Sequence, residues 1–181
     1  MALLALLMGI CVLQVTLSED NLKVGHPIPS SWDWRQSNAV SSVKDMGVCN
    51  AGWAFASVAL YESFLMRVSG IEHDLSEEYV IQCSGQGNCT DAPGFRNLRK
   101  TLNFIIKDGL PLEKDVPYQQ YFTKTDKVNV ANACNAPKVQ WLDLVKNHGS
   151  FGFSPHNFRD VIKQGPSVSG MYAPARFWQY K

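Results

Sequence analysis

Residues 40–62 join a polar loop to the start of an apolar helix. The loop contains Gly47 and Cys49, and apolar side chains recur at helical spacing from Trp53 until Gly70. Unpaired N–H groups and the helix dipole at such a junction stabilise a thiolate or a developing oxyanion. This junction is therefore where we expect nucleophilic chemistry in the chain.

The sequence of the junction resembles the active-site segment of papain-like cysteine peptidases, whose signature is Cys-Gly-[Ser/Ala]-Cys-[Trp/Tyr]. Residues 49–53 read Cys-Asn-Ala-Gly-Trp. The resemblance assigns the nucleophile's place to Gly52, which has no thiol. It assigns the place of the oxyanion-binding glutamine to Met46, which has no side-chain N–H to donate. The resemblance therefore implies that the catalytic positions are degenerate.

The substrate cleft that the resemblance implies is altered as well. The family carries glycine beside the nucleophile and in a Cys-Asn-Gly-Gly run, where this chain has Asn50, Asp91 and Ala92. Side chains would project where a peptide lies against bare backbone, and a buried charge at Asp91 would oppose apolar substrate residues. We expect a cleft that has changed together with the catalytic positions.

The fold that the resemblance implies is α+β, with a papain-like helical left domain and an incomplete β-barrel right domain. Residues 29–35 match the family pattern Pro-x-x-x-Asp-Trp-Arg at the start of the mature domain. We predict that residues 28–138 form the N-terminal strand and helical domain. Residues 139–181 are predicted to form a partial barrel that stops before the catalytic His/Asn region.

Three helices are predicted in the helical domain. The first begins near Gly52 and ends at Gly70, the second has Ser76 as its N-cap, and the third covers residues 94–109. Residues 139–145 and 165–172 read as strands. The buried face of the first helix is predicted to comprise Trp53, Phe55, Val58, Tyr61, Phe64, Leu65 and Val68.

The cysteines indicate disulfides rather than a metal site. Four remain after residue 18, no pair is spaced Cys-x-x-Cys, and no histidine lies at ligand spacing, so we expect no metal. Four cysteines allow three pairings, and the spacing alone does not choose among them. The family resemblance implies the pairs Cys49–Cys89 and Cys83–Cys134. Asn88 begins a glycosylation sequon whose middle residue is one of these cysteines.

The N-terminal residues read as a secretory signal peptide. The apolar run is shorter than the ~20 residues that span a bilayer, and Thr16 and Ser18 suit cleavage after residue 18. A buried N-terminal helix or strand is the alternative. Residues 1–18 are thus predicted to be the signal and residues 19–27 a short linker with no propeptide. The expected location is extracellular, or lysosomal or vacuolar through the secretory pathway.

The family's catalytic His and Asn follow the nucleophile by about 130–150 residues. Counting from Gly52 places them at roughly residue 182 or beyond, after the last residue of the sequence. In the family the catalytic histidine follows the strand that residues 165–172 resemble. All four histidines of this chain precede that strand: His26, His73, His148 and His156. We therefore expect no catalytic base in the sequence.

The sequence leaves three interpretations open. The first is a secreted, inactive papain homologue that binds an unknown protein or peptide, and the second is an incomplete gene product or a fragment of a papain-like cysteine endopeptidase. The third, an active peptidase, requires a nucleophile that the chain lacks. The net charge of +1 argues against a nucleic-acid partner, and no cofactor or membrane span is expected. Exposed barrel edges would favour self-association.

Overall fold

The computed structural model describes residues 30–87, 89, 97–119, 132–139, 162–163 and 165–170. These residues include three complete α-helices. Helix α1 is Gly52–Ser69, α2 is Glu77–Cys83 and α3 is Leu98–Asp108. Two short 3₁₀ turns are Trp34–Ser37 and Ala133–Asn135. The predicted signal peptide and linker lie outside the described residues.

Helix α1 is the central element of the core. It begins at Gly52 and ends at Gly70, whose left-handed φ of 71° lets its N–H donate to Met66 O, so both predicted bounds are confirmed. The predicted apolar face is buried or half-buried except at Val68, which is 49% exposed. The prediction for Val68 is wrong because the last turn of the helix extends beyond the elements that cover the rest.

Helix α2 packs against α1 and begins as predicted. The Ser76 side chain accepts a hydrogen bond from Tyr79 N at 3.0 Å, which confirms the N-cap, and its hydroxyl donates to Val116 O at 2.6 Å. The acidic residues of the first turn, Glu77 and Glu78, are fully buried. Their burial places two carboxyl groups inside the helical core.

Helix α3 is shorter than predicted. Asn97 has extended backbone angles, and its side chain accepts from Lys100 N at 3.1 Å, so the helix begins at Leu98. The predicted start at Gly94 is therefore wrong, because the side chain of Asn97 caps the helix and satisfies a free N–H of the first turn. The predicted end at Gly109 is confirmed, with a φ of 77°.

Two disulfides connect the helices to the loops around them. Cys49 is bonded to Cys89 and Cys83 to Cys134, which are the pairings that the resemblance implies. The buried core also includes large side chains from all three helices and from the loop after α3. The largest apolar side chains that are less than 2% exposed are Tyr79, Leu65, Leu75, Ile105, Leu110, Val58, Val80 and Val116.

The barrel domain lies mostly outside the described residues. Of the predicted strand 139–145 only Val139 is described, and it forms an isolated antiparallel bridge with Leu110, with N to O at 2.9 Å. The described residues 165–170 have irregular backbone rather than the strand predicted for 165–172. The Trp34 indole N–H donates to Ile162 O at 2.6 Å, which connects the first 3₁₀ turn to this later segment.

Among the helices of the described part of the chain, none combines the length and the apolar character needed to cross a bilayer.

Candidate functional site

The site predicted from the sequence is the junction at the N-terminus of α1. Gly52 is the first helical residue and is exposed to solvent. Ala51 precedes it without a side-chain cap, and the first backward backbone bond runs from Ala54 N to Ala51 O at 2.8 Å. The N–H groups of Gly52 and Trp53 therefore lie at the open end of the helix.

Met46 lies directly beside Gly52. A Cβ atom built on Gly52 would stand 3.7 Å from the Met46 sulfur, which is ordinary van der Waals distance. The structure thus brings together the two residues that the sequence assigns to the nucleophile and oxyanion positions. The thioether carries no proton that it could donate to an oxyanion.

The loop around Met46 is held by two hydrogen bonds. The Asp45 side chain accepts from Gly47 N at 2.8 Å, and Gly47 adopts a left-handed φ of 58° that favours glycine. The Tyr118 hydroxyl donates to Met46 O at 2.8 Å, and the Tyr118 ring packs edge-on against Phe55 with centroids 4.9 Å apart. Loop and helix are therefore connected through one tyrosine from the segment after α3.

The Cys49–Cys89 disulfide fixes the other side of the loop. Both cysteines are 1% exposed, and Asn50, between Cys49 and the helix, is half-buried. Asn50 therefore lies beside the junction, and its place in a substrate cleft stays a prediction. The other cleft residues, Asp91 and Ala92, and the sequon residue Asn88 lie outside the described residues.

A partly buried ion cluster anchors the chain just before the loop. We define the Lys44 cluster as Lys44, Glu62, Asp74 and Glu77. The Lys44 ammonium lies 3.2 Å from Glu62 Oε1, 2.7 Å from Asp74 Oδ1 and 3.0 Å from Glu77 Oε1. It also donates to Leu75 O at 3.0 Å. One lysine thus ties residues 41–47 to α1 and to the start of α2.

The pKa values of this cluster are shifted by burial and by charge. Burial alone would lower the pKa of Lys44, but the carboxylates of Asp74, Glu77 and Glu62 outweigh it and raise that pKa above its usual range. Burial raises the pKa of Glu77 to about 7, even though the nearby Lys44 ammonium opposes the shift. Glu77 is therefore a carboxyl group that can keep its proton close to neutral pH.

The chemistry that the described site could perform is limited by its side chains. All four cysteines of the described residues are in disulfides. Within the same residues, no group of three His, Cys, Asp or Glu side chains is arranged to hold a metal ion. The site does offer backbone N–H groups at a helix start, a thioether and an exposed glycine.

Sequence reasoning missed Tyr118 and the Lys44 cluster as parts of this region. Nothing in the local sequence indicates that the Tyr118 hydroxyl reaches a residue 72 positions earlier. A signal for the cluster did exist, because Glu62 is a charged residue on the apolar face of α1. Buried carboxylates require a cation, and Lys44 is the cation that the fold provides.

The family model for papain family cysteine proteases matches residues 28–181. The chain belongs to the papain family. The match covers the helical core, the Met46–Gly52 junction and the residues that carry the two disulfides. The identification therefore rests on most of the chain and agrees with the resemblance seen in the sequence.

Relatives of this papain-family chain are known in plants. It is 36% identical over 158 residues to cysteine proteinase RD21A of Arabidopsis thaliana, covering 87% of this chain and 32% of that protein. It is 37% identical over 107 residues to the oryzain beta chain of Oryza sativa subsp. japonica, covering 59% of this chain and 22% of that protein. The chain thus spans less than a third of the length of these curated relatives.

A solved structure supports the papain-like fold. The cysteine protease CMS1MS2 of Carica candamarcensis, determined in complex with E-64, superposes with a TM-score of 0.50 at 29% identity. The superposition covers 62% of this chain and 50% of that one. The papain-like part of the fold prediction is therefore confirmed, and the detail of the barrel stays a prediction.

Proposed function

We propose that this papain-family chain is a non-catalytic homologue that binds peptides or unfolded protein segments without cleaving them. The observation that carries the proposal is the pairing of Gly52 with Met46 at the open end of α1. The family's hydrolysis needs a thiol at the first of these positions and a side-chain donor at the second. Loss of the nucleophile alone removes on the order of 10⁶ in rate in a comparable hydrolase.

The neighbouring cysteine does not replace the missing thiol in this proposal. Cys49 is fully buried and bonded to Cys89, so it is neither a thiolate nor accessible to a substrate. Its disulfide instead supports a folded loop beside the helix start. The fold of the junction and its chemistry are thus separable.

Binding remains compatible with what the junction offers. The open end of α1 presents the N–H groups of Gly52 and Trp53, which can donate to a peptide carbonyl. The Met46 thioether provides a soft apolar contact beside them. Asn50 adds an amide that can both donate and accept.

We extend the proposal to location and organisation. Two disulfides suit an oxidising compartment, which supports passage through the secretory pathway to the exterior or to a lysosome or vacuole. The division into residues 28–138 and 139–181 is proposed on the family resemblance.

The second candidate function, a piece of a papain-like cysteine endopeptidase, is favoured by the partial coverage of RD21A.

The test uses the purified chain and a library of capped random octapeptides. After incubation, peptides that elute with the protein are identified by mass spectrometry, and fragments are sought in the same spectra. We expect intact bound peptides and no fragments. Peptide fragments that form without a cysteine-peptidase inhibitor, and do not form when the inhibitor is added, would support the endopeptidase instead.

A matched pair of variants locates the binding. Gly52→Trp fills the exposed end of α1 and should abolish peptide retention, whereas Ile71→Trp, at a site 58% exposed beyond the far end of the same helix, should not. Far-ultraviolet circular dichroism checks that both variants are folded. Equal retention by both variants would remove the junction from the proposal.

A further inference from the structure

The Lys44 cluster contains more acceptors than its ammonium can satisfy. Five oxygen atoms lie within hydrogen-bonding distance of Lys44 Nζ: Glu62 Oε1, Asp74 Oδ1, Leu75 O and both carboxylate oxygens of Glu77. An ammonium has three protons to donate. Two of the three carboxylates around this one cation, Glu62 and Glu77, are 1% exposed, whereas the Asp74 side chain is 66% exposed. The buried part of the cluster therefore holds two carboxylates against one ammonium.

The two buried carboxylates are not equally well supported. Besides Lys44, Glu62 has two neutral donors: Ser41 Oγ donates to its Oε2 at 2.6 Å and Leu75 N to its Oε1 at 2.8 Å, so each of its oxygens has at least one donor. Glu77 has the Lys44 ammonium and its own backbone N–H. Glu77 is therefore where an added proton relieves the excess of negative charge at least cost.

We propose that the Lys44 cluster makes the packing of residues 41–47 against α1 and α2 depend on pH. The cluster holds this segment in place in acid and releases it as the pH approaches neutrality. The segment leads directly into the loop that contains Met46, so loosening would disorder the junction at the start of α1. The proposal does not rest on the function proposed above, because it concerns the anchoring of the loop and not what the loop binds.

The direction of the effect follows from proton linkage. Burial raises the pKa of Glu77 to about 7 from 4.5, and Lys44 only partly offsets this. Between these two pH values the closed state keeps a proton that the open state releases. Raising the pH therefore favours opening across this window, and the stabilisation by the proton is complete only below the lower value.

Other titratable groups around Glu77 act in the same direction or stay neutral. The Glu62 carboxylate, from α1, adds negative charge that also raises the pKa of Glu77. Burial raises the pKa of Glu113, in the loop after α3, so its ionisation also opposes closure at higher pH. Burial raises the pKa of Tyr118, which therefore remains an uncharged phenol in this range.

Amide hydrogen exchange at pH 5 and pH 7.5, corrected for intrinsic rates, tests the proposal on the purified chain. The Leu75 amide donates to Glu62, and its equilibrium constant for opening should be on the order of 50-fold larger at pH 7.5 than at pH 5. Glu77→Gln should reduce that ratio to about threefold or less because the amide does not titrate. Asp115→Asn, at an exposed carboxylate, should retain the full ratio.

Helix α3 supplies an internal reference. The Gly109 amide, bonded to Ile105 O at 2.9 Å, should show little pH dependence in any variant. A flat Leu75 response in the wild type, an unchanged ratio in Glu77→Gln, or an equal response at Gly109 would each overturn the proposal. If Glu77→Gln does not fold, the wild-type protein decides through the NMR chemical shift of the Glu77 carboxyl carbon, followed as a function of pH. A titration midpoint near 7 supports the proposal, and a midpoint below 5 overturns it.

Discussion

The Tyr118 hydroxyl donates to the carbonyl oxygen of Met46 at 2.8 Å, across 72 positions of sequence. The bond joins the segment after α3 to the loop that enters α1. Because the Tyr118 ring also packs against Phe55 of α1, a single side chain sets the position of the loop relative to the helix. The geometry of the junction thus depends on a residue that contributes nothing chemical to it.

Replacing this tyrosine should loosen the loop without unfolding the core. We expect Tyr118→Phe to keep the ring contact with Phe55 and to lose the hydrogen bond, which costs about 1 kcal/mol of unfolding free energy. Chemical denaturation measures the change, and hydrogen exchange at Gly47 should rise more than exchange within α3. A larger effect in α3 than at Gly47 would contradict the role given to Tyr118.

Restoring a cysteine at the helix start should be tolerated. The new Cβ would meet only the Met46 sulfur, at 3.7 Å, and Gly52 is exposed. We expect Gly52→Cys to change the unfolding free energy by less than ~1 kcal/mol, toward stabilisation, since glycine carries extra entropy in the unfolded chain.

The same variant should gain a thiol that the described wild-type residues do not offer. Iodoacetamide should label Gly52→Cys under native conditions at residue 52, as mapped by peptide mass spectrometry, and should leave Cys49 and Cys89 unlabelled. The control is Gly52→Ser, which should acquire no label. Labelling of Cys49 in the wild type would show that the disulfide beside the site is absent.

Removing the cation of the Lys44 cluster should be costly. Lys44→Met leaves Glu62 and Glu77 buried beside each other without their counter-charge, and breaking such a pair costs about 3–5 kcal/mol. Thermal unfolding measures the loss. The matched control, Lys114→Met at an exposed position, should change stability by less than ~0.5 kcal/mol. A loss of similar size in both variants would mean that the buried charges are not what Lys44 supports.

The second disulfide should contribute more through the unfolded chain than through local contacts. Cys83–Cys134 closes a loop with a sequence separation of 51. Replacing both cysteines with serine should lower the free energy of unfolding by at most ~4 kcal/mol in the chain-entropy model. Each single cysteine-to-serine variant should be no more stable than the double variant. Mass mapping of the unreduced chain should find this pair together with Cys49–Cys89, and a scrambled pattern would contradict both bonds.

Local patterns in the sequence determined much of the helical part. Apolar periodicity and Gly70 placed α1, Ser76 placed the start of α2, and Gly109 placed the end of α3, because capping and left-handed backbone conformations depend on the residue itself. The resemblance at residues 49–53 indicated the junction, and the loss of catalytic residues there stays a proposal. These inferences require no knowledge of which segments meet.

The start of α3 and the support of the junction were decided by contacts that local patterns do not reveal. Asn97 competes with a helical start further upstream by capping through its side chain, and Val68 lies on the apolar stripe of α1 but past the edge of the core. Tyr118 reaches Met46, and Lys44 meets carboxylates from three places in the chain, only after folding brings them together. Periodicity and capping act over a few residues, whereas burial, ion pairing and shifted pKa values depend on neighbours that are distant in sequence. The sequence by itself therefore determined which residues stand at the site, and the tertiary structure decided what holds them there.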